Sequence, residues 1–168
     1  MRTIGISGNK GAGKDSTANV LVEEFGFHVL APGDLIRESL HLIFGIPVEV
    51  MVNRDTKEQY RKLQQDYGMM VRQLVADDLV WVKAVFRRAE ENKWDQLVIP
   101  SIRGEESYVE SRGGQSWFVT RPGLKKDEND SHDIEQFAAN ANPADYARHI
   151  VNDSTLGELA SKVKAAYS

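Results

Sequence analysis

The sequence predicts an α/β fold: a five-stranded parallel sheet covered on both faces by helices. Three observations carry that expectation. Strand-like and helix-like segments alternate along nearly the whole chain. The strand-like segments, Gln96–Ser101 (QLVIPS) most clearly, are continuous apolar runs, the pattern of strands buried on both faces. The 168 residues, 41% apolar and 27% charged, suffice for one domain with a hydrophobic core, 1–168.

In chain order, Arg2–Ser7 (RTIGIS) reads as a short buried strand. Lys14–Phe25 reads as a helix with Val20, Leu21 and Phe25 on a shared face and Gly26 as its stop. Phe27–Ala31 is a second strand, and Gly33–Phe44 a helix ended by Gly45 and Pro47. Residues 45–55 are a connection without assigned structure. Thr56 with Gln59 spells a capping box for a long helix to about Val75. Gly68 lies inside that helix, where glycine costs roughly 1 kcal/mol relative to alanine. Either the helix breaks there or something approaches its backbone closely. Asp78–Glu91 is amphipathic and helical. Gln96–Ser101 is the third strand, Glu105–Arg112 a short helix closed by Gly113 and Gly114, and Ser116–Arg121 the fourth strand. Pro122–Asp130 is a polar loop, with a short helix around His132–Ala139. Arg148–Asn152 is the last strand, and Thr155 with Glu158 caps the C-terminal helix.

Composition removes several classes of function. There is no cysteine, which excludes disulfides and thiolate-bound metals. Met1 leads directly into a strand, without a basic segment and apolar core of a signal peptide, and no apolar run is long enough for a membrane span. A cytoplasmic protein with no membrane partner is expected. The net charge of −4 lacks the basic excess of a duplex-binding surface, so nucleic acid is not an expected partner. The basic residues are instead free to gather on one small anionic ligand.

Gly8-Asn9-Lys10-Gly11-Ala12-Gly13-Lys14 satisfies G-x-x-x-x-G-K between a strand and a helix. Glycines let successive backbone N–H groups turn toward an anion, and the helix N-terminus adds partial positive charge. Gly8 through Thr17 are therefore candidate ATP phosphate ligands, with Lys14 reaching the β- and γ-phosphates. The residue after Lys14 is Asp15, where Ser or Thr is usual. Ser16 then becomes the candidate Mg²⁺ hydroxyl, ahead of Thr17. Asp15 either adds a carboxylate to the metal shell or simply favours the helix start. Ligands on parallel sheets bind at the carboxyl ends of the strands, where the first strand, Ile99–Arg103 and Arg121 all open.

The ending G-K-D-S resembles the phosphate loop of phage deoxynucleoside monophosphate kinases, within the P-loop nucleoside monophosphate kinase superfamily. Further elements are similar and in the same order. Asp34-Leu35-Ile36-Arg37 resembles that family's D-P-[IL]-[KR], and Arg61 to Gly68 (RKLQQDYG) its R-x-L-x-Q-x-x-G. Arg72 and Val80-Trp81-Val82-Lys83 continue the likeness. Val98-Ile99-Pro100-Ser101-Ile102-Arg103 resembles V-V-P-D-x-R, with Ser101 where the family usually has an aspartate. Arg121-Pro122-Gly123 with His132 and Glu135 resembles R-P-G…H-x-x-E, and Asn152 to Leu156 resembles N-D-G-[ST]-L.

The resemblance implies a P-loop kinase-like three-layer sandwich with a short lid at about 122–139 and an acceptor-binding helical region at about 45–75. It implies transfer of the γ-phosphate of Mg²⁺·ATP to a (deoxy)nucleoside monophosphate, with Lys14, Arg37, Arg103 and Arg121 as the catalytic charges. Asp34, Arg37, Arg61, Gln65, Arg72 and Trp81 are the implied acceptor-binding residues, and Ser16 with Asp15 the implied metal-binding ones. A homodimer is compatible with the resemblance. Asp34 either orients the acceptor or caps its helix, and Trp81 either stacks on a base or belongs to the core. His132 and Glu135 have metal-ligand spacing or form a local pair at a helix start. Two other readings stay open: a P-loop kinase acting on another small acceptor or a modified nucleotide in DNA, and a nucleotide-binding module with little turnover.

Overall fold

The computed structural model describes residues 1–53, 55–124 and 141–168. They form two compact units: Met1–Leu30 with Trp94–Ser168, and Ala31–Lys93. The helix expected around His132–Ala139, with His132 and Glu135, lies outside the described residues, as does most of the expected lid.

The first unit carries the sheet. Its strands are β1 (Arg2–Ser7), β2 (His28–Val29), β3 (Gln96–Pro100), β4 (Gln115–Thr120) and β5 (Arg148–Val151). They run in the order β2-β3-β1-β4-β5, and every pairing is parallel. This is the expected fold class, with helices on both faces. Side chains alternate across β1, as strand geometry requires. Ile4 and Ile6 join Val98, Trp117, Val119 and Ile150 in a core covered by α1 (Lys14–Phe25) and α7 (Leu156–Tyr167), through Ala18, Leu21, Leu159 and Val163. On the other face, a Cβ on Gly5 would lie 2.5 Å from Ile102 and 3.4 Å from Val109 of α6 (Glu106–Ser111). The absent side chain lets this layer close on the sheet.

Helix α1 ends at Gly26 in the left-handed conformation, as expected of a glycine stop. The second strand is shorter than expected. Phe27 donates its N–H to the carbonyl of Leu21 and buries its ring in the α1–α7 core, so its backbone finishes the helix instead of pairing in the sheet. At the other end Ala31 is the N-cap residue of the next helix, whose first residue is Pro32.

The second unit contains α2 (Pro32–Phe44), α3 (Val48–Val52), α4 (Lys57–Val75) and α5 (Val80–Glu91). Helix α3 occupies the connection at 45–55, to which the sequence assigns no element. It also removes the capping box. Thr56 donates its hydroxyl to the carbonyl of Val50 at 2.6 Å, so α4 starts with no side-chain cap. Helix α4 runs unbroken through Gly68, and the close approach is real. A Cβ there would meet Ile36 Cδ1 at 2.8 Å, while Trp81 donates its indole N–H to the Gly68 carbonyl at 3.0 Å. Arg88 of α5 pairs with Glu38 of α2 at 3.0 Å. The turn before α5 is fixed by Asp77, which accepts from the Leu79 N–H at 3.0 Å and from Lys83 at 2.7 Å.

Candidate functional site

The loop between β1 and α1 is shaped by close approaches that exclude side chains. Gly8 has φ +142°, and a Cβ there would sit 2.2 Å from the carbonyl oxygen of Val119. Gly13 has φ +107°, and its Cβ would sit 2.5 Å from Asn152 Nδ2. Between them the chain turns on a hydrogen bond from the Ala12 N–H to the Asn9 carbonyl, 3.1 Å. Gly13 is the N-cap of α1 and supplies no side-chain cap. The first-turn amides of α1 are thus left to an anion or to water, and the helix dipole favours the anion. Lys14 is buried and donates to the Asn9 carbonyl at 2.9 Å, folding its ammonium back over the loop.

The loop is held from the far end of the sheet. Asn152, just past β5, is buried and donates from Nδ2 to the carbonyl of Ala12 at 2.9 Å. Its own N–H donates to the carbonyl of Thr120 at 2.7 Å. The adjoining residues are clamped by Lys162 of α7, which donates to the Val151 carbonyl at 2.9 Å and to the Asp153 carboxylate. The Lys162 ammonium, chiefly through that hydrogen bond, holds the Asp153 carboxyl below the usual carboxylate range.

A cavity of about 330 Å³ opens beside the loop. It is lined by Gly11, Gly13, Lys14, Asp15 and Ser16 of the loop and the start of α1, and by Arg121, Asn152, Ser154 and Leu156 from the chain after β4, after β5 and at the start of α7. Of the residues singled out in the sequence, Lys14, Asp15, Ser16 and Arg121 therefore meet in one place. Gly8, Asn9, Lys10 and Ala12 shape the loop without lining the cavity. Thr17 is fully buried, its hydroxyl enclosed with no hydrogen-bond partner, and does not face the cavity either. Leu124, at the start of the expected lid, lies against Gly11, 3.4 Å from where a Cβ would be.

Arg103 does not line this cavity. It follows a sharp exit from β3, in which Ser101 takes φ +69°, so the strand ends one residue earlier than expected. The exit is pinned by side chains: the Ile102 N–H donates to the Ile6 carbonyl, the Arg103 N–H to the Glu105 carboxylate, and the Gly104 N–H to Glu106 at 2.8 Å. Glu105 is itself buried. Its role in shaping this edge has no signal in the sequence, where it reads as the first residue of the helix Glu105–Arg112; the helix begins one residue later, at Glu106.

In the second unit, Asp34 does two things at once. It accepts from the Ala31 N–H at 2.7 Å, so it caps α2 from inside the helix, and it pairs with Arg37 at 2.6 Å. Arg37 also donates to Gln64 at 3.2 Å. Gln64, not its neighbour Gln65, is thus the glutamine of α4 joined to Arg37; Gln65 and Arg72 are half-buried, and Arg61 pairs with Glu58 at 3.3 Å. Trp81 is buried with its N–H engaged by Gly68, which gives it a packing role in place of an open face for a base. The sequence gives no signal for Gln64, and although Asn152, Ser154 and Leu156 fall within the Asn152–Leu156 motif, it does not tie them to the loop. A glycine followed along the chain by a distant asparagine carries no spacing that links them.

Asp15 and Ser16 line the cavity, and a carboxylate and a hydroxyl are oxygen donors of the kind that could hold Mg²⁺, a hard cation that keeps several waters. Among the described residues no group of three or more acidic or histidine side chains stands ready to hold a metal alone. A magnesium ion here would be completed by nucleotide phosphates and water. No described helix is long and apolar enough to cross a membrane.

No family model matches the chain. No curated protein matches it either. Solved structures do. The chain is similar to TT1252 from Thermus thermophilus, with 20% identity and a TM-score of 0.55 over 98% of this chain and 95% of that one. It is also similar to the shikimate kinase from Aquifex aeolicus vf5, with 12% identity and a TM-score of 0.54 over 99% and 96% of the two chains. At these identities the likeness establishes architecture: the chain has the helix-flanked, five-stranded parallel α/β fold found in a shikimate kinase.

Proposed function

We propose that this protein is an ATP-dependent phosphotransferase whose acceptor is a (deoxy)nucleoside monophosphate, with a diphosphate and ADP as products. The observation that carries the reading is the meeting of Lys14, Asp15, Ser16 and Arg121 around the uncapped start of α1, in one cavity of about 330 Å³. Such a wall offers donors and positive charge where a triphosphate spreads its negative charge. The fold shared with a shikimate kinase supports the kinase class. The ordered motifs from Gly8 to Leu156 support the monophosphate acceptor, and so does the Asp34–Arg37–Gln64 cluster on the helices of the second unit.

In this reading an oxygen of the acceptor monophosphate attacks the γ-phosphorus of ATP. The new P–O bond forms as the bond to the β,γ-bridging oxygen breaks, and ADP leaves with that electron pair. No general base is required, because a phosphate monoester is largely ionised near neutral pH. Lys14 moves from the Asn9 carbonyl to the β- and γ-oxygens, and Arg121, which lines the same cavity, holds the donor. Arg37 holds the acceptor phosphate, relayed in place by Asp34 and Gln64. Ser16 and Asp15 would hold Mg²⁺, which would supply positive charge against the triphosphate.

A coupled ADP-release assay across the deoxy- and ribonucleoside monophosphates tests this. Turnover that depends on one or two monophosphates is expected. Turnover only on non-nucleotide acceptors would reassign the acceptor, and ATP binding without transfer to any acceptor would sink the kinase reading.

A further inference from the structure

We infer that Asn152 is a positioning residue for the phosphate loop, acting by fixing the orientation of the Ala12–Gly13 peptide. The inference rests on the reading of that loop as the triphosphate site. Asn152 stands outside the glycine-rich motif and 140 residues from Ala12, the partner to which it donates.

The geometry is as follows. The acceptor is a backbone carbonyl, so only the NH₂ end of the carboxamide can face it, and the assignment of nitrogen and oxygen is forced. The Ala12–Gly13 peptide is trans, so its C=O and its N–H point in opposite directions. Holding the Ala12 carbonyl toward Asn152 therefore holds the Gly13 N–H away from it. That amide is one of the donors a loop of this kind presents to an anion. The same carboxamide leaves no room for a side chain at position 13, since Asn152 Nδ2 lies 2.5 Å from the position a Gly13 Cβ would take. Asn152 is itself immobilised: its N–H is held by Thr120, the residue before Arg121, and its chain neighbours by Lys162. Asn152 thus ties the loop through its side chain to a backbone that is itself fixed to Thr120, the residue before Arg121. Ala12 and Asn152 are both buried, so a lost bond is not replaced by bulk water.

Asn152→Asp is the discriminating variant. It is nearly isosteric, but as a carboxylate it sets lone pairs against the Ala12 carbonyl and gives the loop no donor. As a carboxylic acid it regains one O–H, and burial against a carbonyl raises its pKa toward the range where this happens. The measurement is calorimetric titration of the full chain with Mg²⁺·ATP at pH 8 and pH 5.5, each N152D value taken as a ratio to wild type at the same pH. N152D is expected to bind about tenfold or more weakly at pH 8. The ratio is expected to narrow several-fold at pH 5.5. A merely structural lesion would lower the unfolding midpoint without that pH-dependent recovery.

Wild-type-like affinity of folded N152D at pH 8, or a ratio that stays the same at both pH values, overturns the inference and leaves the phosphate site standing. If N152D does not fold, Asn152→Ala, which buries no carboxylate, is read at pH 8: a tenfold loss supports the role and unchanged affinity overturns it. Failure of the wild type to bind Mg²⁺·ATP at all overturns the phosphate-loop reading and this inference together.

Discussion

Trp81 donates its indole N–H to the carbonyl of Gly68 at 3.0 Å, joining α5 to the middle of α4. The bond is accepted by a backbone oxygen, so what bears on the size of residue 68 is the packing of Ile36 beside it. A larger residue would press on Ile36 Cδ1, 2.8 Å from the Cβ position. Trp81→Phe should cost about 1–2 kcal/mol, from one buried hydrogen bond and the lost ring volume. Gly68→Ala should be nearly neutral, because a helix-propensity gain of about 1 kcal/mol offsets displacement of the mobile tip of Ile36. Gly68→Val has no such outlet and should cost about 2–3 kcal/mol. Denaturant unfolding of the three variants checks the order.

Lys14 bears on function more than on folding. Its ammonium bonds the Asn9 carbonyl, a contact of modest net worth, whereas its charge is central to the proposed transfer. Lys14→Ala should lower kcat/KM by about a hundredfold or more while the thermal midpoint stays within about 5 °C of wild type. Steady-state kinetics with a thermal melt on the same preparation would reveal normal activity, the outcome that removes Lys14 from the site.

Arg103 and Arg121, the two arginines of the first unit proposed as catalytic, should separate. Arg121 lines the loop cavity and Arg103 does not. Arg121→Ala should raise KM for ATP about tenfold, the loss of a charged contact to phosphate. Arg103→Ala should leave KM for ATP within about threefold and show its effect, if catalytic, in kcat. Equal KM effects would contradict the placement.

Ser101 holds a left-handed backbone at φ +69° where β3 ends. Glycine adopts that conformation freely, while other L-residues bear roughly 1–2 kcal/mol of strain. Ser101→Gly should therefore stabilise the fold by about 0.5–1 kcal/mol after the glycine entropy cost, measured as a shift in the unfolding midpoint. Loss of stability would show that the serine hydroxyl contributes more than the strain removes.

Among the described residues two carboxylates contribute to the acid limb of stability. Asp77 is held below the usual carboxylate range first by its hydrogen bond to Lys83 and then by the Leu79 N–H, and Asp153 by Lys162. With the folded-state pKa values lowered, the unfolded chain binds more protons in acid, so stability rises with pH there. The contribution is complete above the ordinary carboxylate pKa of about 4 and is lost as pH falls through the lower folded values. Lys83→Met and Lys162→Met should each flatten the acid slope of the unfolding midpoint below about pH 4. An unchanged slope in both would rule these pairs out as its origin.

The parts legible in the sequence are those set by local chemistry. β1 and α1 fall where apolar runs and the glycine-rich turn place them, Gly26 closes α1, and Thr155 accepts from the Glu158 N–H at 3.3 Å as its capping pattern implies. What was illegible depends on partners distant in sequence or on competition for one group. Thr56 has the right neighbours for a cap, but the nearby Val50 carbonyl takes its hydroxyl. Phe27 has strand propensity, but its N–H completes α1. The choice of Gln64 over Gln65 turns on which side of α4 faces Arg37, which a motif position does not encode. The hold of Asn152 on Ala12 joins residues near the two ends of the chain, and only the parallel sheet brings them together.

The most direct test of the central claim is to follow the phosphoryl group itself. Phosphorus NMR of wild type and K14A, each with Mg²⁺, ATP and a panel of nucleoside monophosphates, distinguishes a new nucleoside diphosphate from free phosphate. Wild type should form a second nucleoside diphosphate in one-to-one proportion with ADP, and K14A should form none. ATP cleaved only to ADP and inorganic phosphate, or left intact with every monophosphate, would contradict the assignment.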